Sequence, residues 1–247
     1  MSLDLGLVLR NGGTLFDGAL VTLAIALVGA LVAVIGGAFI CAARISKSTV
    51  LRAIARAYIL FFRVTPEVVL IFWAYYCVPL IFATKVSGFW AGSIVLGLIG
   101  AAFLAEIYRG GIDSVPRGQI EAAHALGLGA LPKWGFVILP QALRVSIAPL
   151  VNYFSEFLKN TTLLSAIGVA DLSLQAYLLG GQTYRYIEFL SAIAVVYFFM
   201  IFPVILFARR LEVRLGRPGQ RQRSFGAFLP KLARSERSSP QSRLANP

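Results

Sequence analysis

The chain has 247 residues, 58% of them hydrophobic and only 14% charged, with a mean hydropathy of +0.78. Soluble domains carry about a quarter charged residues, so a single water-exposed globular core is excluded and most apolar side chains must meet lipid or other membrane helices. The net charge of +12 flanks apolar blocks and gathers in the C-terminal tail. That placement suits anionic lipid headgroups, and without a basic stripe interleaved with aromatics it excludes nucleic acid as a partner.

Residues 1–14 lack a basic start and a small-residue cleavage site. They read as a short external segment, not a cleaved signal. The first apolar block, 15–41, exceeds the ~20 residues that cross a bilayer. Its small residues Gly29, Ala30, Ala33, Gly36, Gly37 and Ala38 permit close helix packing. The second block, 57–83, carries Pro66 and Pro79. Arg63 and Glu67 stand four apart on it, which predicts a shared helix face. Two readings follow: an internal ion pair, or, with Thr65, a polar wall of a path opened by a kink at Pro66.

The third block covers 89–108. Glu106 and Arg109 end it at a spacing that permits a pair, and Gly110 and Gly111 are expected to let the chain leave the membrane. A polar loop over about 110–135 follows. A short helix is predicted there, opening after Pro116, which needs no N–H in a first turn. It closes at Gly127, which accepts the left-handed conformation. So brief a helix is marginal in water. Ala122 and Ala123 would let another surface approach, so the loop reads as a docking element stabilised by a partner.

The fourth block begins near 136 and carries Pro140 and Pro149. Glu156, Lys159 and Asn160 fall on one side of it, either as a Glu156–Lys159 pair or as ligand contacts. The stretch 161–181 is apolar only in part. It reads either as a broken, partly re-entrant segment lining a polar cavity, or as an outer loop with a short helix. Thr161, Thr162 and Ser165 add hydroxyls suited to a zwitterion. The fifth block covers 187–208 and carries Pro203. Residues 216–247, rich in Arg, Ser, Gln and Pro, read as a disordered basic cytosolic tail.

Basic residues mark one side of the membrane. Arg44, Lys47, Arg52 and Arg56 follow the first span, Arg109, Arg117 and Lys133 the third, and Arg209, Arg210 and Arg214 the fifth. The alternate loops hold only Lys85 and Arg185. The positive-inside rule then puts the N-terminus outside and the C-terminus and the 110–135 loop in the cytosol. No cofactor or catalytic residue is expected. There is no phosphate-binding G-x-x-x-x-G-K-[ST] loop. Cys41 and Cys77 make no disulfide framework, and His124 has no neighbouring Cys or His to share a metal.

Glu121-Ala122-Ala123, Gly127, Val137, Leu139 and Pro140 resemble the E-A-A-x3-G-x9-I-x-L-P loop of ABC importer permease subunits, with Val for Ile. AEIYRGGIDSVPRGQIEAAHALGLG (105–129), VILPQALR (137–144), LKNTTLLSAIGVADL (158–172) and FFRVTPEVVLIFWAYY (61–76) are similar to the polar-amino-acid branch of that family. The likeness runs over about 15–215. It implies an all-α polytopic inner-membrane protein of about five transmembrane helices with the type I, MetI-like, permease architecture. It also implies that the loop docks on a separate ATPase subunit. A second permease chain, identical or related, would complete the path, and a periplasmic or surface binding protein would deliver the substrate. That substrate would be a polar or charged amino acid or an opine-like compound. Three departures stand out: Val64 where the family shows R-G-T-P, Glu67 where it has an aliphatic residue, and Asn160 where it commonly has Asp. The last removes a negative charge that Glu156 could replace.

Two rival classes are a self-sufficient secondary transporter or channel and a membrane-embedded enzyme. The first would need ion-coupling groups and usually repeated halves, and no repeat is evident. The second would need clustered acids or histidines at one face of the membrane.

Overall fold

The structure is a computed structural model that describes residues 5–215, apart from the side chains of 5, 207–209 and 211–215. The basic tail over 216–247 lies outside the described residues. Among them the regular structure is entirely helical. Helix α1 (Leu5–Arg10) leads into α2 (Gly12–Ile45), whose 34 residues contain no proline. After a turn come α3 (Thr49–Val64) and α4 (Glu67–Phe72), the latter running through a π segment (Trp73–Cys77) into α5 (Val78–Phe82). Next are α6 (Gly88–Asp113) and α7 (Arg117–Ala125). The short α8 (Ala130–Pro132) then runs through a second π segment (Lys133–Ile138) into α9 (Leu139–Asn160). A 3-10 segment (Thr161–Ile167), α10 (Leu172–Thr183) and α11 (Tyr186–Leu215) close the domain.

Four stretches are long and apolar enough to cross a membrane: Gly12–Ile45, Gly88–Asp113, Ala130–Ile167 and Tyr186–Leu206. A fifth, the predicted 57–83 span, is not one straight helix. It is two arms, Thr49–Val64 and Glu67–Phe82, bent by 104°. The break has a local cause. A residue before proline is driven out of the α region, and Thr65 sits at ψ 132°; Pro66 then brings no N–H to continue the ladder. The bend also removes the shared helical face expected for Arg63 and Glu67, which end on different helices and form no ion pair.

Prolines explain the π segments too. Each segment ends two residues before a proline, at Cys77 before Pro79 and at Ile138 before Pro140. A proline ring collides with the carbonyl four residues back, and a wider turn makes room for it. The N–H groups of Val78 and Leu139 accordingly reach back five residues, to the carbonyls of Trp73 and Trp134.

Helix α6 is the centre and α11 the rim: 67% of the apolar window of α6 is buried, against 11% for α11. The main core packs Ile25 and Ala33 of α2 against Leu96, Ile99 and Leu104 of α6 and Tyr153 and Phe157 of α9. A second core joins Leu15 to Leu172, Ala176, Leu179, Phe189 and Ile193. Close approach is what lets α2 and α6 cross. A Cβ on Gly97 would sit 2.6 Å from Val32 Cβ and 2.9 Å from the Gly29 carbonyl oxygen. Gly111 is packed as tightly against Ala142 and Ser146. Gly110 and Gly111 do not end the helix. They lie inside α6, which continues to Asp113; a Cβ at Gly111 would collide with α9, whereas one at Gly110 meets nothing within 4 Å.

Gly97→Val is expected to destabilise the fold by about 1–3 kcal/mol, the usual cost of overpacking. Gly13→Ala, where an added Cβ meets nothing within 4 Å, is expected to be neutral. Thermal melting of the detergent-purified chain, followed by size-exclusion recovery, measures both.

Candidate functional site

The polar loop forms the helix that the sequence predicts. Helix α7 follows Pro116 and ends at Ala125. Gly127 beyond it has φ +71°. The N–H of Leu128 reaches the Ala123 carbonyl at 3.0 Å and that of Gly127 reaches the His124 carbonyl at 2.9 Å. This is the Schellman closure, which satisfies carbonyls at the helix end and favours glycine at the left-handed position. An added Cβ at Gly127 meets nothing within 4 Å, so a side chain there would cost backbone strain without collision in this chain.

One correction concerns the two alanines. Ala123 is buried and Ala122 is exposed, so only Ala122 is open to another surface. Ile120 and Ala123, three apart, form the inner face of α7 against the Lys133–Ile138 segment. Ile120 packs on the cluster of Val115, Ile138 and Ala142, which ties the helix to the feet of α6 and α9. Outward stand Glu121, Ala122 and Leu126, the last 79% exposed. His124 Nε2 lies 3.0 Å from Lys133 Nζ, a contact the sequence reading missed because the two are nine residues apart. Leu139 and Pro140, also exposed, open α9 beside this helix.

Glu106 and Arg109 pair as their spacing allows: Arg109 Nη2 lies 2.7 Å from Glu106 Oε2. Arg109 also binds Asp113, and Arg44 of α2 approaches Glu106 at 3.7 Å. The result is a charged knot where α2 and α6 meet.

Deeper along the chain, Asn160 Nδ2 donates to Glu67 Oε2 at 3.0 Å, joining the end of α9 to the start of α4. The 93-residue separation hides this contact from any local reading of the sequence. Glu156 lies one turn earlier on α9 and, like Lys159, is exposed. The two form no ion pair within 4.0 Å, so the Glu156–Lys159 pair is absent. Arg63 points elsewhere, its guanidinium 5.1 Å from the centre of the Phe103 ring. Thr65, half-buried, caps α3.

The hydroxyl residues form a separate group. Thr162 and Ser165 line an open cavity of about 650 Å³ together with Ser173, Tyr177 and Tyr197. Glu67, Glu156 and Asn160 are not among its walls. Thr161 is fully buried, and its hydroxyl donates to the Leu158 carbonyl at 2.8 Å, so it faces no cavity. The backbone is irregular here: the 3-10 turn ends at Gly168, φ +79°. Helix α10 then restarts from Asp171, whose Oδ1 accepts from the Leu174 N–H at 2.9 Å. Among the described residues no three His, Cys, Asp or Glu side chains converge as a metal site.

Residues 33–217 match the family described as binding-protein-dependent transport system inner membrane component. The chain belongs to this family. It is 30% identical over 215 residues to the arginine transport system permease protein ArtQ of Bacillus subtilis, covering 87% of this chain and 98% of that one. A crystal structure of an amino acid ABC transporter is 32% identical, covers 87% of this chain and 100% of the other, and superposes with a TM-score of 0.80. An inward-facing structure of the MetNI methionine ABC transporter, at 19% identity and a TM-score of 0.63, shares the fold. The protein is thus an amino-acid ABC transporter permease, a multi-pass inner-membrane transport component and not an enzyme. The family's dependence on a binding protein sets aside a self-sufficient transporter.

Asn160→Leu removes the neutral donor to Glu67 and is expected to cost about 1.5–3 kcal/mol, the range for a hydrogen bond to a charged group. Glu67→Gln keeps an acceptor and is expected to retain the wild-type melting temperature. Both are read by thermal melting of the purified permease.

Proposed function

We propose that α7 is the docking element through which the permease takes up work from a separate ATPase subunit. The observation that carries this is its two-sided construction: Ile120 and Ala123 are anchored inward while Glu121, Ala122 and Leu126 are presented outward. A short helix with an exposed leucine and a small residue on its free face suits a groove in another protein. Tilting α7 would be felt by α6 and α9 through Val115, Ile138 and Ala142. A second permease chain, identical or related, covers the apolar faces left open and completes the path. A periplasmic or surface binding protein delivers the substrate to the outer side. In this reading the N-terminus is external and the C-terminus cytosolic.

The substrate is a polar or charged amino acid or an opine-like compound. Glu67 and Glu156 meet its ammonium group, and Asn160, hydrogen-bonded to Glu67, holds the first carboxylate in place. Thr162 and Ser165 provide hydroxyls along the route. The contact between Glu67 and Asn160 supports this, since an acid at membrane depth is costly without a functional return.

Gly127→Asp is expected to lower ATPase co-purification and binding-protein-driven uptake at least about tenfold, because left-handed strain and a new charge both fall on the docking face. Membrane insertion should be unchanged. Full association and full uptake in this variant would refute the docking role. Glu67→Gln and Glu156→Gln are expected to impair uptake while assembly persists, and unchanged uptake in both would remove them from the path. A reporter fused after Leu215 should be cytosolic and one at the N-terminus external, read by accessibility to a membrane-impermeant reagent.

A further inference from the structure

We infer that the groove between α2 and α3 is a binding site for the phosphate of an anionic phospholipid headgroup. It is a cavity of about 420 Å³ walled by Arg44, Arg56, Arg63 and Glu106, with Leu60 and Val64 among its lining residues. Arg44 lies in the last turn of α2. Arg56 and Arg63 lie seven residues apart on α3, so they project from nearly the same side, two turns apart.

The charges in the groove do not balance. Glu106 is its one acidic residue, and Arg109 already holds that carboxylate through Nε and Nη2. Arg44 adds a longer contact at 3.7 Å. Arg56 and Arg63 have no carboxylate within 4.0 Å among the described residues. Arg52, on the same stripe, shows what a satisfied neighbour looks like: it donates to the carbonyls of Ser46 and Lys47 at 2.9 Å and to Thr49 Oγ1 at 3.1 Å. Arg63 stacks near Phe103, an arrangement that leaves guanidinium N–H groups free to donate. Two guanidinium forks facing one groove suit a phosphate, which accepts such pairs in bidentate fashion.

The apolar rim selects a lipid as the source of that phosphate. Leu60 is 65% and Val64 72% exposed, and Ile54 and Phe61 of the same helix are exposed as well. Helix α3 thus carries an arginine stripe beside an uncovered apolar face, the pattern of a helix at a membrane interface. A dissolved phosphate would neutralise the arginines and leave this face bare. An acyl chain would lie along it. Glu106 is seven residues from the end of α6, about 10 Å along the axis, a depth that long arginine side chains span by snorkelling.

The inference rests on the topology proposed above for its assignment to the inner leaflet. Lipid retention itself is independent of that topology, and the reporter fusions test the topology separately. The experiment is native mass spectrometry of the full-length chain in non-ionic detergent, titrated with phosphatidylglycerol or phosphatidylcholine. Wild type is expected to retain phosphatidylglycerol selectively, and millimolar inorganic phosphate is expected not to displace it. Arg56→Gln should lower retention about fivefold, and Arg56→Gln with Arg63→Gln further, in line with the contribution of each basic residue near an anionic membrane surface. Arg56→Lys, which keeps the charge but loses the planar fork, should fall between wild type and Arg56→Gln. Equal retention of the two lipids by wild type, displacement by inorganic phosphate, or undiminished retention in the double variant would each overturn the inference. The first and second comparisons use the unmutated protein and hold even if a variant misfolds.

Discussion

In hydrocarbon an apolar side chain gains little by leaving lipid for protein, so helices are held by close packing and by the few polar contacts they share. The crossing of α2 with α6 meets that condition most fully. Gly97 lets the backbone of α6 approach Val32 and the Gly29 carbonyl, and Gly100 would carry a Cβ 2.6 Å from that of Ala33. Tyr153 and Phe157 of α9 join the same packing surface. Helix α6 is thereby fixed on both sides. Its two ends become reference points: Glu106 and Arg109 meet Arg44 at one, and Ser87 caps the other by accepting from the Trp90 N–H.

Against this fixed centre the irregular backbone is concentrated in the elements around it. Pro66 divides α3 from α4, and Pro79 and Pro140 each follow a π segment. Non-helical backbone at membrane depth is tolerated where protein or water satisfies it. Here it brings Glu67 to Asn160 and turns the chain from α9 into α10. Charged and irregular features thus coincide in α4 and the end of α9, while the central helix stays regular.

How much of this was legible in the sequence depended on range. Gly127 was readable because a helix that opens after proline and ends at glycine has a local geometry. The pair of Glu106 and Arg109 was readable because a spacing of three fixes a shared face. The same rule misled at Arg63 and Glu67, where Pro66 ends the helix on which the spacing argument depended. It could not decide between Ala122 and Ala123, since either alanine suits a close approach and only the packing of the Lys133–Ile138 segment buries one. The Glu67–Asn160 contact crosses 93 residues. Its one signal in the sequence was chemical: an acid where the family has an aliphatic residue, and an amide where it commonly has an acid. Family resemblance gave the class of protein, and the comparisons agree with it.

The inward anchoring of α7 has a consequence for how this loop can change over time. Ala123 and Ile120 answer to residues of their own chain, so a larger side chain at either must be matched by a smaller one on the Lys133–Ile138 segment or on α9. Glu121, Ala122 and Leu126 are exposed and, under the docking proposal, would face the ATPase subunit. Their compensating changes would have to arise in a different polypeptide, encoded separately. Under the docking proposal, positions a single residue apart, such as Ala122 and Ala123, would be constrained by different polypeptides.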